Sequence, residues 1–411
     1  MINRVKEYSL ILHQQRLISN PMYKPSFWEY QLLFSQTDVL IVGAGITGLA
    51  AAITIKQQAP KLKVLVIESA KLGTMATTRN AGFLCYGSPS ELLNDLDAHG
   101  PDHVFDLLVR KHRGMDRLLE LGRKKDIGYS STFGYELFDS TKPISVVADR
   151  LNELNIIIEA ATAQHDYFKA SAASVLARWG FTGFTAAIQM AYEGQVQSAS
   201  LDHALRLYAQ NLGVRLVSSV EVTELQTNSA AEWDFMTEFG TFQAKTVLLA
   251  NNAFLSKLLP EIEVSPKRGQ ILVTSELPHL RLHGNYHYDS GYYYFRNVGN
   301  RLLLGGARNH DFETENTAEV DLNDKLQAHL TDFAATRLLA GQPFTIEHQW
   351  SGIMGFTADQ KPICKEVKAG LYAAAGMNGM GVAMGASLGT EIAEKILNVL
   401  APTRRKTRKR N

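Results

Sequence analysis

The sequence predicts an α/β chain, α+β overall, in which a parallel sheet with helices is interleaved with a region of antiparallel sheet plus helices. Three observations predict it. Val39-Leu40-Ile41-Val42 and Val64-Leu65-Val66-Ile67 are short runs with no polar residue on either face, the mark of parallel strands buried on both sides. A glycine-rich turn and one helical stretch join these runs into a βαβ unit. Residues 266–308, by contrast, read as adjacent antiparallel strands around a tight turn.

The first unit organises the rest. Its first strand ends in Gly43-Ala44-Gly45-Ile46-Thr47-Gly48, the G-x-G-x-x-G spacing. Gly43 permits the tight turn, Gly45 lets backbone approach a pyrophosphate, and Gly48 lets helix lie close to strand. The helix passes through Leu49 and Ile53 and is expected to stop near Pro60. Its N-terminus offers N–H groups and a positive dipole end to a diphosphate. The second strand ends in Glu68, followed by Ser69, twenty residues after Gly48, where a carboxylate accepts hydrogen bonds from a ribose 2′-OH. The unit is Rossmann-like and predicts a bound dinucleotide. These residues alone leave NAD and FAD equally open.

Before this unit, the aromatic cluster Phe27-Trp28-Glu29-Tyr30 is expected to anchor on the domain surface. After it, Ser88-Pro89-Ser90-Glu91 is a capping box with proline at the first helical position. Helical spacing follows in Val104, Leu107, Leu108, Met115, Leu118 and Leu119. A helix from about Ser200 leads through Gly213 into the strand Val214–Val217. Thr246-Val247-Leu248-Leu249-Ala250 is another buried strand, and Ala250 and Asn251 fall at the carboxyl edge where a nucleotide lies. Gln270–Thr274, Tyr292–Arg296 and Arg301–Gly305 supply the antiparallel strands. Gly370–Gly376 then forms a strand that runs into Met377-Asn378-Gly379-Met380-Gly381 and a helix. That second strand–turn–helix unit offers another helix N-terminus to partial negative charge.

Composition narrows the class. With 45% hydrophobic and 20% charged residues the chain reads as soluble and globular. The net charge of +1 creates no bulk field favouring nucleic acid or membrane. Six of the 42 Lys and Arg lie in Arg404–Arg410, leaving 36 against 41 acids elsewhere. The expectation for that tail is a solvated C-terminus. Two distant cysteines, Cys85 and Cys364, form no Cys-x-x-Cys site, so no metal is expected and a reducing cytoplasm fits. No signal-length apolar segment or membrane span is present, which also points to a cytoplasmic protein.

Resemblance separates the two dinucleotides. Ala76-Thr77-Thr78-Arg79-Asn80-Ala81-Gly82 resembles the loop after the second strand in FAD-dependent amine oxidoreductases of the D-amino-acid oxidase superfamily. Glu193-Gly194, Pro266–Gln270, Gly305-Gly306, Trp350–Thr357, Asp359, Pro362 and Gly376–Val382 match that family in order. The resemblance spans about Asp38 to Leu397 and is nearest in pattern to γ-glutamylputrescine oxidoreductase. It implies a non-covalent FAD, because the flavin-linking Cys of sarcosine oxidase has no counterpart around Gly352. Val222 is then expected to touch the adenine through its backbone. The Thr77–Gly82 loop, and Gly376, Asn378, Gly379, Met380, Gly381 and Val382, are expected at the flavin.

The implied reaction oxidises a small-molecule amine by hydride transfer to flavin N5, with hydrolysis of the imine. The electron acceptor is O2 or another species, since the oxygen-activating Lys of sarcosine oxidase falls near Leu303. An amine with pKa near ~10 costs about 4 kcal/mol to hold neutral at pH 7. An apolar pocket supplies part of that, with Tyr294, Arg296 and Trp350 as candidate catalytic residues. Gly352-Ile353-Met354-Gly355 lacks the Arg with which relatives grip a substrate carboxylate, which argues against a plain α-amino acid. The expected division is 1–91, 191–262 and 346–411 for FAD, with 92–190 and 263–345 for substrate. The alternatives are an FAD-dependent RNA base-modifying enzyme, a flavoprotein without turnover, and a nicotinamide dehydrogenase.

Overall fold

The computed structural model describes residues 24–35, 37–71, 76–171 and 173–400. Two sheets carry the architecture. In the first, the strands run in the order Ile363–Lys368, Leu371–Ala375, Gly240–Leu249, Thr37–Val42, Val64–Glu68 and Arg215–Ser218. The last five are mutually parallel. Their side chains are apolar on both faces because both are covered. One face is packed by Ile46–Gln58 and Gly381–Leu400; the other meets Phe34, Trp233, Phe242 and Leu255. Thr37–Val42 lies between Val64–Glu68 and Gly240–Leu249, so the chain order reverses at its carboxyl end. A crevice opens at such a point.

The second sheet runs Ile346–Phe356, Ser265–Thr274, Arg301–Gly306, Tyr293–Val298, Asn285–Tyr288, Ser130–Phe138, Ala186–Gln195 and Phe83–Leu84. All these neighbours are antiparallel except the parallel pair Asn285–Tyr288 and Ser130–Phe138. Gly299-Asn300 closes the hairpin between Val298 and Arg301, with Gly299 at φ +58°. Tyr286, Tyr288, Tyr293, Phe295 and Phe333 stack on the face away from the first sheet.

Several expected elements form from the chemistry that predicted them. The first helix ends at Gln58, just before Pro60. In the capping box, the Glu91 N–H donates to Ser88 Oγ at 3.4 Å and the Ser88 N–H donates to Glu91 Oε2 at 2.9 Å. Others differ. Phe27 and Trp28 are 65% and 77% exposed, while Phe34 stacks on Phe242 at 3.9 Å and does the anchoring. The boundary drawn at 346 cuts ahead of Ile346–Phe356, which is hydrogen-bonded along Ser265–Thr274 in the second sheet. Phe83–Leu84 likewise pairs with Gln195 and Gly194 in that sheet, although 83–84 and 191–195 were grouped with the first. Strand pairing ties these segments together where composition offered no signal. The basic stretch Arg404–Arg410 and residues 1–23 lie outside the described residues. Among the described residues, no helix is long and apolar enough to cross a membrane.

Candidate active site

At the reversal point lies a cavity of about 900 Å³ running between the sheets. Its floor is backbone. Gly43 adopts φ +107°, and a Cβ there would lie 2.6 Å from the Ala250 carbonyl oxygen. A Cβ on Gly48 would lie 2.0 Å from the Gly43 carbonyl oxygen, so only glycine lets helix and strand close at this point. Gly43, Gly45, Ile46 and Thr47 line the cavity; Ala44 and Gly48 form the turn behind them. The Glu68 carboxylate receives the Ala44 N–H at 2.9 Å and the Ala70 N–H at 2.9 Å. Glu68 is thereby fixed at the cavity edge beside the exposed Ser69. Val222, Ala250 and Asn251 close the same end, and Asn251 Oδ1 is buried with no partner in the protein.

A diphosphate-linked nucleotide fits this donor set. The turn offers helix N–H groups, a carboxylate for ribose hydroxyls, and an orphaned buried oxygen. The Ile46 N–H donates to Thr77 Oγ1 at 3.1 Å, which leaves the Thr77 hydroxyl proton free to donate onward. Thr77, expected at the flavin, is thus hydrogen-bonded to the Gly43–Gly48 turn.

The loop around Thr77 is shaped by Asn80. Its Nδ2 donates to the Thr77 carbonyl at 2.6 Å and the Ala76 carbonyl at 3.0 Å. Its Oδ1 accepts the Gly82 N–H at 2.8 Å and the Ser198 hydroxyl at 2.8 Å. Asn80 thus folds the loop with the amide expected to face the flavin. Arg79 lines the cavity and donates through Nε to the Ser351 carbonyl. Asn80, Ala81, Gly82 and Gly352 also line it; Thr78 does not.

The second glycine turn seals the seam between sheets. Asn378 takes φ +49°, its N–H donates to the Gly355 carbonyl at 3.0 Å, and its Oδ1 accepts the Thr357 N–H at 2.9 Å. Gly376 lies outside the lining, and its N–H donates at 3.0 Å to Oδ1 of Asn252, which lines the cavity. Asn378, Gly379, Met380, Gly381 and Val382 face the cavity, with the N-terminus of Gly381–Leu400 among them. A Cβ on Gly389 would lie 2.3 Å from the Thr47 carbonyl oxygen, so two helices run close enough for both N-termini to reach one cavity. Each end favours negative charge.

The far end of the cavity belongs to side chains. Tyr294 lines it, lying over the floor made by Gly305 and Gly269: a Cβ on Gly305 would sit 2.4 Å from its ring. Burial pushes its phenol up to about 12, so it enters any reaction as a neutral hydroxyl. The other two catalytic candidates are not in the cavity lining. Arg296 is buried beneath Gly82, donates from Nη2 to the Val196 carbonyl at 2.9 Å, and is pushed down to about 10 by burial. Trp350 donates through Nε1 to the Arg79 carbonyl at 3.1 Å and packs among Ala81, Ile271 and Leu303. Both support the Thr77–Gly82 loop from behind.

One functional side chain escaped the sequence reading. Arg308 follows Gly305-Gly306 through Ala307 at φ +61° and enters the cavity, its guanidinium 5.4 Å from the Phe356 ring centroid. Lys267 Nζ sits 4.5 Å from the same ring. Burial lowers both cations' pKa values, and the Arg308 charge lowers that of Lys267 further. Arg308 thus brings a cation into the cavity that Gly352–Gly355 also lines. The signal was an Arg two residues after a glycine pair, at a strand end adjoining the Tyr294 strand.

Comparison with known proteins agrees with this geometry. The pattern of the DAO family, described as FAD dependent oxidoreductase, matches residues 38–395. A probable oxidoreductase, OrdL, of Rhizobium meliloti is 24% identical over 376 residues, 88% of this chain and 83% of that one. L-proline dehydrogenase from P. horikoshii superposes with a TM-score of 0.73 at 18% identity, covering 89% and 95% of the two chains. Glycine oxidase from Geobacillus kaustophilus gives 0.69 at 22% identity, covering 90% and 99%. The structural likenesses establish the shared fold.

Proposed function

Because the chain belongs to the DAO family of FAD-dependent oxidoreductases, we propose that it oxidises the C–N bond of an amine that also carries a carboxylate. FAD, when bound, supplies the two-electron acceptor for the hydride of the carbon next to nitrogen. Gly43–Gly48 and Thr77 would hold its pyrophosphate, Glu68 its ribose, and the Gly376–Val382 turn its ring. The helix N-terminus at Gly381 favours negative charge on the flavin edge nearest it.

The observation that carries this reading is Arg308 beside Tyr294 in the same cavity as the nucleotide cradle. A guanidinium and a neutral phenol form a donor set for a carboxylate. Phe356 and Met354 give the surrounding wall an apolar surface that disfavours an ammonium ion. Neighbours named for glycine oxidase, L-amino acid deaminase and iminodiacetate oxidase act on such compounds and support the substrate class. The resemblance to γ-glutamylputrescine oxidoreductase remains compatible, since that substrate also bears a carboxylate, at a distance from the amine.

Arg308→Ala tests the reading. A charged hydrogen bond is worth about 1.5–3 kcal/mol. The substitution should lower kcat/KM for sarcosine, glycine or γ-glutamylputrescine by roughly ten- to a hundredfold. Turnover of putrescine, which has no carboxylate, should not fall. An equal loss for both classes would remove the carboxylate assignment.

A further inference from the structure

One wall of the cavity carries a group of side chains that neither cofactor nor carboxylate uses. His287 lies directly opposite Tyr294 on the neighbouring strand, so both project from one sheet face. The residue is 5% exposed and lines the cavity, and neither ring nitrogen has a hydrogen-bond partner in the protein. The Phe83 ring meets it edge-on at 5.4 Å and holds its orientation. Around it, a ring nitrogen of His287, Cys85 Sγ and a Glu193 carboxylate oxygen lie within 4.8 Å of one another. Glu91 Oε2 is 3.8 Å from His287 Nδ1.

This surround is built. Glu193 accepts from Asn285 Nδ2 at 2.9 Å and from the Tyr167 hydroxyl at 3.3 Å. A Cβ on Gly134 would lie 2.4 Å from its carboxyl, so glycine makes the room. A buried imidazole with two unused nitrogens beside a reaction cavity calls for a partner on the substrate.

We infer that His287 is the catalytic base that takes the proton from the nitrogen of the bound amine, with Glu193 and Glu91 as positioning residues beside it. The inference rests on the amine-oxidation reading above. In this step the N–H bond of the ammonium breaks, its electron pair stays on nitrogen, and the proton ends on a ring nitrogen of His287. That lone pair is what oxidation of the neighbouring carbon requires. Burial holds His287 neutral, ready to accept, against the opposing charge of Glu91. The groups facing it are Cys85 after Phe83–Leu84, Glu91 from Pro89–His99, Glu193 from Ala186–Gln195 and Tyr294 from Tyr293–Val298. Lys111, from Pro101–Gly122, is the cation that interacts with Glu91 and Cys85.

The test is the anaerobic rate of flavin reduction in the full-length holoenzyme, from about pH 6 to about pH 10, spanning the amine's own ionisation. The probes are sarcosine, glycine, D-alanine and γ-glutamylputrescine. In the unaltered enzyme the rate should level off well below the amine's own pKa of ~10. A midpoint at the amine's own pKa overturns the inference without any variant. In His287→Gln the rate near pH 7 should fall roughly a hundredfold and recover about tenfold per pH unit. A purely structural role would lower the rate equally at every pH, and that result overturns the inference. So does one zinc per chain in the unaltered protein that His287→Gln loses, since Cys85, Glu193 and His287 would then be metal ligands. If no probe reduces the unaltered holoenzyme, the amine reading itself falls, a result distinct from an unchanged pH profile in the variant.

Discussion

The two ends of the cavity are made differently. The nucleotide end is built around one short unit, Gly43–Gly48 with Glu68, and offers backbone N–H groups, a helix end and one carboxylate. The reaction end gathers His287, Tyr294, Arg308 and Phe356 from separate strands and their ends. Backbone recognition demands glycines at fixed spacing, because a Cβ would strike a carbonyl. Side-chain recognition demands only that certain groups converge, which many sequences achieve. The first leaves a mark in the sequence and the second does not.

The comparison breaks first at Gly48. Gly48→Val puts side-chain atoms where a Cβ already lies 2.0 Å from the Gly43 carbonyl. Backbone must shift, so the expected product is aggregated or colourless protein, read from soluble yield and flavin absorbance. A yellow, soluble variant with the parent's melting temperature would show that the cradle tolerates what its spacing forbids.

A smaller effect sharpens the reaction end. Burial pushes Glu193 up to about 8, above the ordinary carboxyl value of 4.5. The folded state thus binds the extra proton between those values. Its contribution to stability is fully present below about pH 4.5 and is lost as pH rises through about 8. Glu193→Gln should remove a slope of up to about 1.4 kcal/mol per pH unit across that window, measured by urea unfolding. An unchanged slope would mean the carboxyl ionises as in water.

The smallest effect belongs to a residue between the two ends. Trp350→Phe deletes one hydrogen bond to the Arg79 carbonyl and keeps most of the packing, so stability should fall by about 1 kcal/mol. The pH profile of turnover should not move. A shifted profile would return Trp350 to the catalytic residues.

Legibility followed the same division. The parallel strands, the glycine turn, Glu68 and the Ser88 cap were readable because each follows from a local rule. The Thr77–Gly82 loop, expected at the flavin, lines the cavity except at Thr78, and its internal hydrogen bonds were not legible. Asn80 uses its amide within the loop, and Thr77 accepts from the N-terminus of the first helix. Tyr294 lines the cavity, whereas Arg296, two residues on along the same strand, turns its guanidinium toward Val196. His287 was missed because its position depends on the pairing of residues 285–288 with 293–298, which has no local signature; Arg308 lies just past the end of the strand Arg301–Gly306. Gly352–Gly355 carries no cation, as its sequence shows, while Arg308 lines the same cavity from the end of another strand.

The central claim is that one cavity holds FAD and an amine bearing a carboxylate. The measurement that tests it most directly is the visible spectrum of the purified protein before and after anaerobic addition of single amines. The account predicts a yellow protein bleached by at least one of sarcosine, glycine, D-alanine or γ-glutamylputrescine, and bleached less by putrescine. A yellow protein bleached by putrescine alone would contradict the role of Arg308. A yellow protein that none of them bleaches would contradict amine oxidation itself.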